Sequence, residues 1–461
     1  MRLGPKLKQI IRTLFVLDLE NGRFNLFESF PSIKRFFYNR KHFAWIRTFG
    51  DLTFLILILL GLFGPQDPER NIMLFWAWGI WWTGVVLSWF FVGRMWCAFC
   101  PFPGLGRLLQ NLGLSRFKVP PKWLTCKGLH LATALFFLII WAETITDMKN
   151  SPFLTAILLL FIILGATLMG VLYRGYAWCR YLCPLGKITG SAATMAITEF
   201  RADLQKCRDC RTFSCRRGRD HIKPCPVFLG AYQAKNNLVC LVCGHCLILC
   251  ERDSPALYLR HPLREQIINK GRYITCGYVI PLLMGSQVAR FIYESPYFVW
   301  FENLLGFGRV LTFTLLFAVG TLFFIELIKG GSFLFTYYED ELFGRFSPMV
   351  PVVMPLAFTG ELLYRLHYFL EELGDFLPTL GRQFHIPSLM AYHFEIPPFW
   401  IKFVSAFWVF LGLAGGFYVA RYFYKKEFAG LVPFRNYLFI NLLLAFCGIV
   451  YLFLSLNIES P

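Results

Sequence analysis

Charged residues are scarce in this chain. Asp, Glu, Lys and Arg make up 16% of its 461 residues, whereas soluble domains carry roughly 25%. Hydrophobic residues reach 56%, and several apolar runs have the length of about 20 residues that crosses a bilayer as a helix. The composition therefore excludes an ordinary soluble domain and predicts a polytopic α-helical membrane protein.

Acidic residues are scarcer than basic ones, 28 against 46, which leaves a net charge of +18. Such an excess can attract nucleic acid, but no nucleic-acid recognition motif accompanies it. Lys and Arg also accumulate in the cytoplasmic loops of membrane proteins. We therefore expect membrane lipid and no nucleic acid among the partners.

Two motif types are absent. The chain has no Cys-x2-Cys-His sequence, which excludes covalent c-type haem. It also lacks a Walker or dinucleotide-binding glycine motif in the required strand–turn–helix setting. Nucleotide-driven chemistry is therefore not expected.

Nine membrane spans and four domains are predicted. The spans are 43–64, 72–92, 129–146, 152–173, 273–291, 309–328, 348–369, 399–421 and 436–456. The domains are a basic cytoplasmic or interfacial arm (1–42), two helix hairpins (43–199), a cytoplasmic module (200–270) and a C-terminal membrane domain of about five spans (271–461). The connections 93–127 and 174–272 are strongly basic, which predicts a bacterial cytoplasmic membrane with the N-terminus inside.

Eight of the fifteen cysteines form two groups in the module. The groups are Cys207, Cys210, Cys215 and Cys225, then Cys240, Cys243, Cys246 and Cys250. The second group has the C-x2-C-x2-C-x3-C spacing of two-cluster ferredoxins, in which the fourth cysteine binds the other cluster. This rule assigns Cys250 to the first three cysteines and Cys225 to Cys240, Cys243 and Cys246. The pattern predicts two [4Fe–4S] clusters; structural zinc is the alternative.

A second cysteine pattern is repeated. Trp96-Cys97-Ala98-Phe99-Cys100-Pro101 and Trp178-Cys179-Arg180-Tyr181-Leu182-Cys183-Pro184 each follow a predicted span. Fixed-period similarity indicates duplicated units, which would place the four thiols side by side. Three interpretations remain open: a third metal centre, a dithiol redox pair, or the rim of a quinone or flavin pocket.

These motifs carry a family resemblance over roughly residues 50–270. Two hairpins that end in Cys-Pro motifs, followed by a two-cluster module, resemble the membrane-bound polyferredoxins typified by NapH and the C-terminal part of NosR. The most specific stretch is Trp-Cys-Arg-Tyr-Leu-Cys-Pro-Leu-Gly at 178–186. The chain departs from the pattern in its first motif, which is one residue short, and in about 190 residues after the module.

The resemblance implies quinol oxidation and electron transfer towards respiratory reductases. We therefore predict an integral membrane, quinol dehydrogenase-like iron–sulfur subunit, with the quinone pool and other respiratory subunits as partners. An acidic soluble electron carrier is a further candidate partner, because opposite charge steers encounter with basic residues of the module; the positive-inside bias explains the same charges equally well. These residues are Arg208, Arg211, Arg216, Arg217 and Arg219. The alternative is a metal- or thiol-reducing maturation factor for a respiratory oxidase, as in CcoG, which shares the signature.

Ionisable residues inside predicted spans are functional candidates, because charge is costly in lipid. Glu143, Glu361 and His367 are candidates for quinone binding and proton transfer, although Glu361 and Arg365 could instead pair along one helix face. Arg47 and Asp51 have the same spacing in the first span. Haem b on His367, His385 and His393 is disfavoured, since no ligand spacing supports it.

Overall fold

The computed structural model describes residues 4–20, 22–220, 222–335 and 347–458. Within them, eight helical segments are long and apolar enough to cross a membrane, judged by length and composition. They are Arg40–Phe63, Ile72–Asn111, Lys122–Ile145, Pro152–Leu172, Arg309–Leu334, Met349–Phe384, Pro398–Glu427 and Phe434–Leu456. Large apolar side chains such as Leu55, Phe161 and Leu442 are exposed on these helices, as lipid-facing residues are. The predicted polytopic helical fold is confirmed.

The fifth predicted span, 273–291, is the helix Ile274–Tyr293, which does not belong to the eight segments. Its polar residues Gln287 and Arg290 have no exposed surface. A helix that other helices cover does not need to be apolar all round. Its polar composition is therefore compatible with a buried position.

Shorter elements connect and interrupt these segments. Arg23–Asn25, Thr198–Ala202 and Pro255–Arg260 are strands β1, β2 and β3. Besides Ile274–Tyr293, the helices of eight residues or more outside the eight segments are Pro5–Phe15, Pro31–Tyr38, Pro184–Ala193 and Tyr297–Leu305. Shorter helices are Leu26–Ser29, Leu204–Arg208, Ser214–Arg217, His245–Leu249, Arg264–Asn269 and Pro387–Met390. A π-helix, Phe75–Trp82, interrupts the second segment.

The chain divides into two compact units. The first contains residues 1–58, 88–135 and 157–265, and the second contains residues 59–87, 136–156 and 266–461. Each is described by itself, and the domain boundaries proposed from the sequence stay a prediction.

A three-stranded antiparallel sheet organises the first unit. Its order is β1-β3-β2, and the pairing of β2 with β3 ends at Ala202 opposite Pro255. The segment that contains the eight cysteines therefore begins after β2 and ends before β3, the strand that pairs with β2. This closure fixes the two ends of a segment that has few regular elements of its own.

Buried charges hold the sheet in place. Arg260, which is 1% exposed, contacts Glu199 at 3.1 Å and Glu265 at 2.5 Å. It also donates to the carbonyls of Ala196 and Thr194. Because those carbonyls follow the helix Pro184–Ala193, the guanidinium ties β3 to the end of that helix, where cations are favoured.

The N-terminal arm is part of this core. β1 pairs with β3, and Phe27 and Phe37 pack with Phe200 and Leu257 in one buried apolar cluster. Each buried aromatic side chain stabilises the fold by several kcal/mol when judged by truncation, roughly 3–5. The arm therefore completes the module.

The second unit is a helical bundle in which the helix Met349–Glu372 is buried along nearly its whole length. Small residues allow close helix approach. At Gly412, an added Cβ would lie 2.2 Å from Thr359 Oγ1. A larger residue there would push the helix Pro398–Tyr422 away from Met349–Glu372.

Candidate metal centres

The eight module cysteines line two separate cavities, four to each. One cavity is lined by Cys225, Cys240, Cys243 and Cys246. The other is lined by Cys207, Cys210, Cys215 and Cys250. These are the two sets that the crossed ferredoxin pattern groups together. We call them the inner quartet (Cys225, Cys240, Cys243, Cys246) and the outer quartet (Cys207, Cys210, Cys215, Cys250).

The inner quartet is shaped by a tight loop. Val242 and Gly244 both have positive φ, at 51° and 66°, which turns the chain sharply between successive cysteines. An added Cβ at Gly244 would lie 2.4 Å from the ring of Phe37. Glycine is therefore required at this position by both backbone conformation and space.

The outer quartet is surrounded by hydrogen-bond donors. The amides of Ala231 and Ser254 point at Cys215 Sγ and Cys250 Sγ, each at 3.4 Å. Ser254 Oγ lies 3.3 Å from Cys207 Sγ. Hydrogen bonds to cluster sulfurs and thiolates help to set reduction potential.

The two quartets differ in electrostatic environment. Burial raises the pKa of Cys243 to about 11 and raises the pKa of Cys240 and Cys246. A backbone hydrogen bond from Phe213 lowers the pKa of Cys210. The inner set is therefore the more apolar environment, in which thiolates need bound metal or nearby cations for stabilisation.

The donor sets fit cubane clusters. Each quartet supplies four thiols, the number that a [4Fe–4S] cluster requires. In the described ranges, no group of three or more His, Cys, Asp or Glu side chains could hold a metal ion. Such a group would share one ion, whereas each of the four thiolates of a cubane binds a different iron.

One cationic side chain, that of Arg40, lies beside the inner quartet. Arg40 Nη1 donates to the Cys243 carbonyl at 3.0 Å, and its side chain lies over the ring of Phe43, 4.1 Å from the centroid. No sequence pattern indicated this contact, because Arg40 precedes Cys243 by 203 residues. Only the docking of the N-terminal arm brings them together.

The structure also brings together the four cysteines of the two Cys-Pro motifs. Cys97, Cys100, Cys179 and Cys183 lie within electrostatic range of one another. Cys183 precedes the helix Pro184–Ala193, with Pro184 in its first turn. We call these four residues the Cys-Pro quartet.

The carboxylate candidates for proton transfer lie in ion pairs of the second unit. Glu361 contacts Arg290 at 2.5 Å and Arg365 at 3.1 Å, and Glu143 contacts Arg365 at 2.8 Å. All four side chains are at most 3% exposed. The structure thus gives Glu143 a partner that the sequence did not indicate, and it shows the Glu361–Arg365 pair that the spacing allowed.

The histidines are in different surroundings. His367 is 9% exposed, and its Nε2 lies 3.0 Å from Glu371. His385 is exposed, while His393 contacts Asp375 at 3.2 Å. In the first unit, Asp51 pairs with Arg107 at 3.1 Å, while Arg47 donates to the Ala98 carbonyl.

Known proteins share part of this organisation. A family model described as "4Fe-4S binding domain" matches residues 74–120 and 155–193. The putative electron transport protein YccM of Escherichia coli is 27% identical over 223 residues, which is 44% of this chain and 60% of the relative. Protein NirI of Paracoccus denitrificans is 27% identical over 201 residues, 38% of this chain and 29% of the relative.

An uncharacterised protein of Methanocaldococcus jannaschii is 26% identical over 175 residues, 37% of this chain and 66% of the relative. The chain thus spans less than two thirds of the length of each of these relatives. No solved structure matches.

These matches confirm the resemblance to membrane-bound 4Fe–4S proteins. Together with the eight apolar helices, they support a multi-pass membrane protein that contains a 4Fe–4S binding domain.

Proposed function

We propose that this protein is a quinol dehydrogenase-like electron-transfer subunit of the bacterial cytoplasmic membrane. It relays electrons between the quinone pool, or a membrane partner, and two [4Fe–4S] clusters on the cytoplasmic face. The observation that carries the proposal is the sorting of eight cysteines into two cavities of four. When bound, a [4Fe–4S] cluster exchanges single electrons.

The chain's own residues hold and adjust the two sites. The inner quartet lies in an apolar cavity beside Arg40, and the outer quartet receives backbone and hydroxyl contacts from Ser254. These different surroundings favour different reduction potentials for the two sites. A difference of this kind gives electron transfer between them a preferred direction.

An acidic soluble carrier is the proposed partner of the outer quartet. Arg208, Arg211 and Arg216 are exposed close in sequence to Cys210 and Cys215, and Arg217 and Arg219 extend the same surface. Opposite charge on a partner accelerates encounter, and salt weakens this effect. Electron transfer to an acidic ferredoxin should therefore slow steeply with ionic strength, and a salt-independent rate would contradict the docking.

Quinol oxidation releases two protons with its two electrons, so it needs a proton acceptor. Glu143 and Glu361 already bind arginines, whereas the Nε2 of His367 lies 3.0 Å from the Glu371 carboxylate. We assign proton transfer to the His367–Glu371 pair. In this assignment the arginine-bound carboxylates have a structural role.

The test uses full-length protein in proteoliposomes that contain a reduced short-chain quinol. Quinol should reduce the iron–sulfur chromophore of the wild type, and Cys243→Ala should lose that reduction while still inserting into the membrane. Cys126→Ala is the control, because Cys126 is exposed and outside all three quartets. Wild-type reduction kinetics in Cys243→Ala would overturn the proposal. Copper binding and reduction without quinol oxidation would instead indicate a maturation factor.

A further inference from the structure

The Cys-Pro quartet has the composition and position of a third cluster site. Its four thiols come from two repeated segments, Trp96–Phe99 and Trp178–Leu182, each followed by a cysteine and a proline. Neither segment alone supplies more than two ligands. Four thiols that converge from two repeats match the ligand number of a cubane.

Two arginines, one of them buried, lie close to this quartet. Arg94, only 5% exposed, lies within electrostatic range of Cys179 and Cys183, as Arg107 does of Cys179. Arg94 Nη1 donates to the Leu238 carbonyl at 2.7 Å, but its Nε is buried without a hydrogen-bond partner among the described residues. Burying an unsatisfied cationic donor is costly, so an anionic group at this site would offset the cost.

The helix after the second motif adds to this field. Pro184–Ala193 is ten residues long and begins directly after Cys183, so its positive end faces the quartet. Lys187, in the second turn of the helix, is also within electrostatic range of Cys183. Thiolates and the clusters that they ligate are anionic, and this environment stabilises them.

The Cys-Pro quartet is next to the inner quartet. Cys97 and Cys225 pack against one apolar cluster, whose buried members include Ala98, Val227 and Cys243. The inner and outer cavities also share a wall residue, Ala231. The three quartets therefore follow one another in the order Cys-Pro, inner, outer.

We propose that Cys97, Cys100, Cys179 and Cys183 bind a third [4Fe–4S] cluster, which is the first site of a three-site series through the first unit. The two stretches matched by the "4Fe-4S binding domain" model, 74–120 and 155–193, contain these four cysteines and end before Cys207. The proposal deepens the proposed function, but its metal content can be tested without the quinol role.

The test is an iron and sulfide count on full-length protein purified without oxygen from ⁵⁷Fe-grown cells, combined with Mössbauer spectroscopy. Three clusters correspond to about twelve irons and twelve sulfides per chain. Cys97→Ser with Cys179→Ser should remove about four irons and one spectral component. Cys207→Ser with Cys210→Ser should remove a different component, and Cys126→Ser should remove none.

About eight irons in the wild type, unchanged in the Cys97/Cys179 double variant, would overturn the proposal. So would zinc or flavin bound in place of the third set of irons. If the double variant fails to insert, single Cys97→Ser decides the question, because oxygen ligation alters the spectrum of the cluster that it binds. An unchanged spectrum in that variant would also contradict the third site. Quinol-driven reduction is measured separately, so the failure of one proposal is distinguishable from the failure of the other.

Discussion

Arg40 places a partly buried positive charge beside the inner quartet, through its hydrogen bond to the Cys243 carbonyl. A nearby cation favours the reduced, more negative state of a cluster. Arg40→Leu should therefore lower the midpoint potential of the inner cluster. A lost stabilisation of about 1.4 kcal/mol corresponds to about 59 mV for one electron.

An EPR-monitored redox titration checks this shift. Arg12→Leu is the matched control, because it removes the same charge from an exposed position on the helix Pro5–Phe15. The outer cluster should keep its potential in both variants. Equal potentials for the inner cluster in wild type and Arg40→Leu would show that Arg40 does not tune it.

Arg365 joins two buried carboxylates, Glu143 and Glu361. Arg365→Met would leave Glu143 without its ion-pair partner, and removal of one member of a buried pair typically costs about 3–5 kcal/mol. The free energy of unfolding in mixed micelles should fall by that order. Arg382→Met, which alters a partly exposed arginine, should have a much smaller effect.

A double variant separates pairing from simple packing. In Glu143→Gln with Arg365→Met, the uncompensated charge on Glu143 is gone, so part of the lost stability should return. A double variant less stable than Arg365→Met would mean that ion pairing is not the source of the effect.

The site residues were predictable from the sequence where their spacing along the chain carries the chemistry. The twelve motif cysteines share such spacing, and the structure groups them in three sets of four. Arg40, Arg94 and the Glu143–Arg365 pair are different, because their contacts join distant parts of the chain. Only tertiary packing specifies them.

The secondary-structure elements also divide into those that the sequence predicts and those that depend on tertiary packing. Long apolar helices were recognisable because their length and composition have a simple physical cause, the thickness of the bilayer. The sheet was not predicted, since β1 is three residues long and pairs with a strand more than 200 residues away. Short strands have little local preference of their own and depend on their partners.

The sheet contains a pH-sensitive group, Glu199 of β2. Burial opposes its ionisation, but Arg260, Arg201 and Arg23 hold the pKa of the carboxyl below its usual range. A carboxyl with a depressed pKa in the folded state contributes stability above its unfolded pKa of about 4.3. This contribution is lost as pH falls through the lower folded value.

Glu199→Gln isolates this contribution. At pH 7 the variant should have a lower thermal midpoint than wild type, because three guanidinium groups lose their shared carboxylate. The difference between the two proteins should shrink as pH falls from about 4.3 through the lower folded pKa, since Glu199 is protonated first in the unfolded and then in the folded wild type. Acid loss of iron affects both proteins and cancels in the comparison. A difference that stays constant with pH would contradict the ion-pair explanation.

At the scale of the whole molecule, the membrane topology depends on whether the helix Ile274–Tyr293 crosses the membrane. Eight segments are apolar enough by themselves, and this helix would make nine. With the N-terminus inside, as we propose, a crossing Ile274–Tyr293 puts the turn at Gly306 outside. Lys425 and Lys426 then lie on the cytoplasmic side, as the positive-inside bias requires. If the helix does not cross, Gly306 lies inside, and both lysines lie on the wrong side for that bias.

Reporter fusions at two turns decide between these topologies. We expect alkaline phosphatase fused after Gly306 to be active, and a fluorescent protein fused after Gly430 to be fluorescent. Both positions are exposed glycines with positive φ, and an added Cβ at either would meet no other residue, so the fusions should disturb packing little. The reverse pattern would mean that Ile274–Tyr293 does not cross the membrane. The final four long helices would then have the opposite orientation, because each crossing inverts the next.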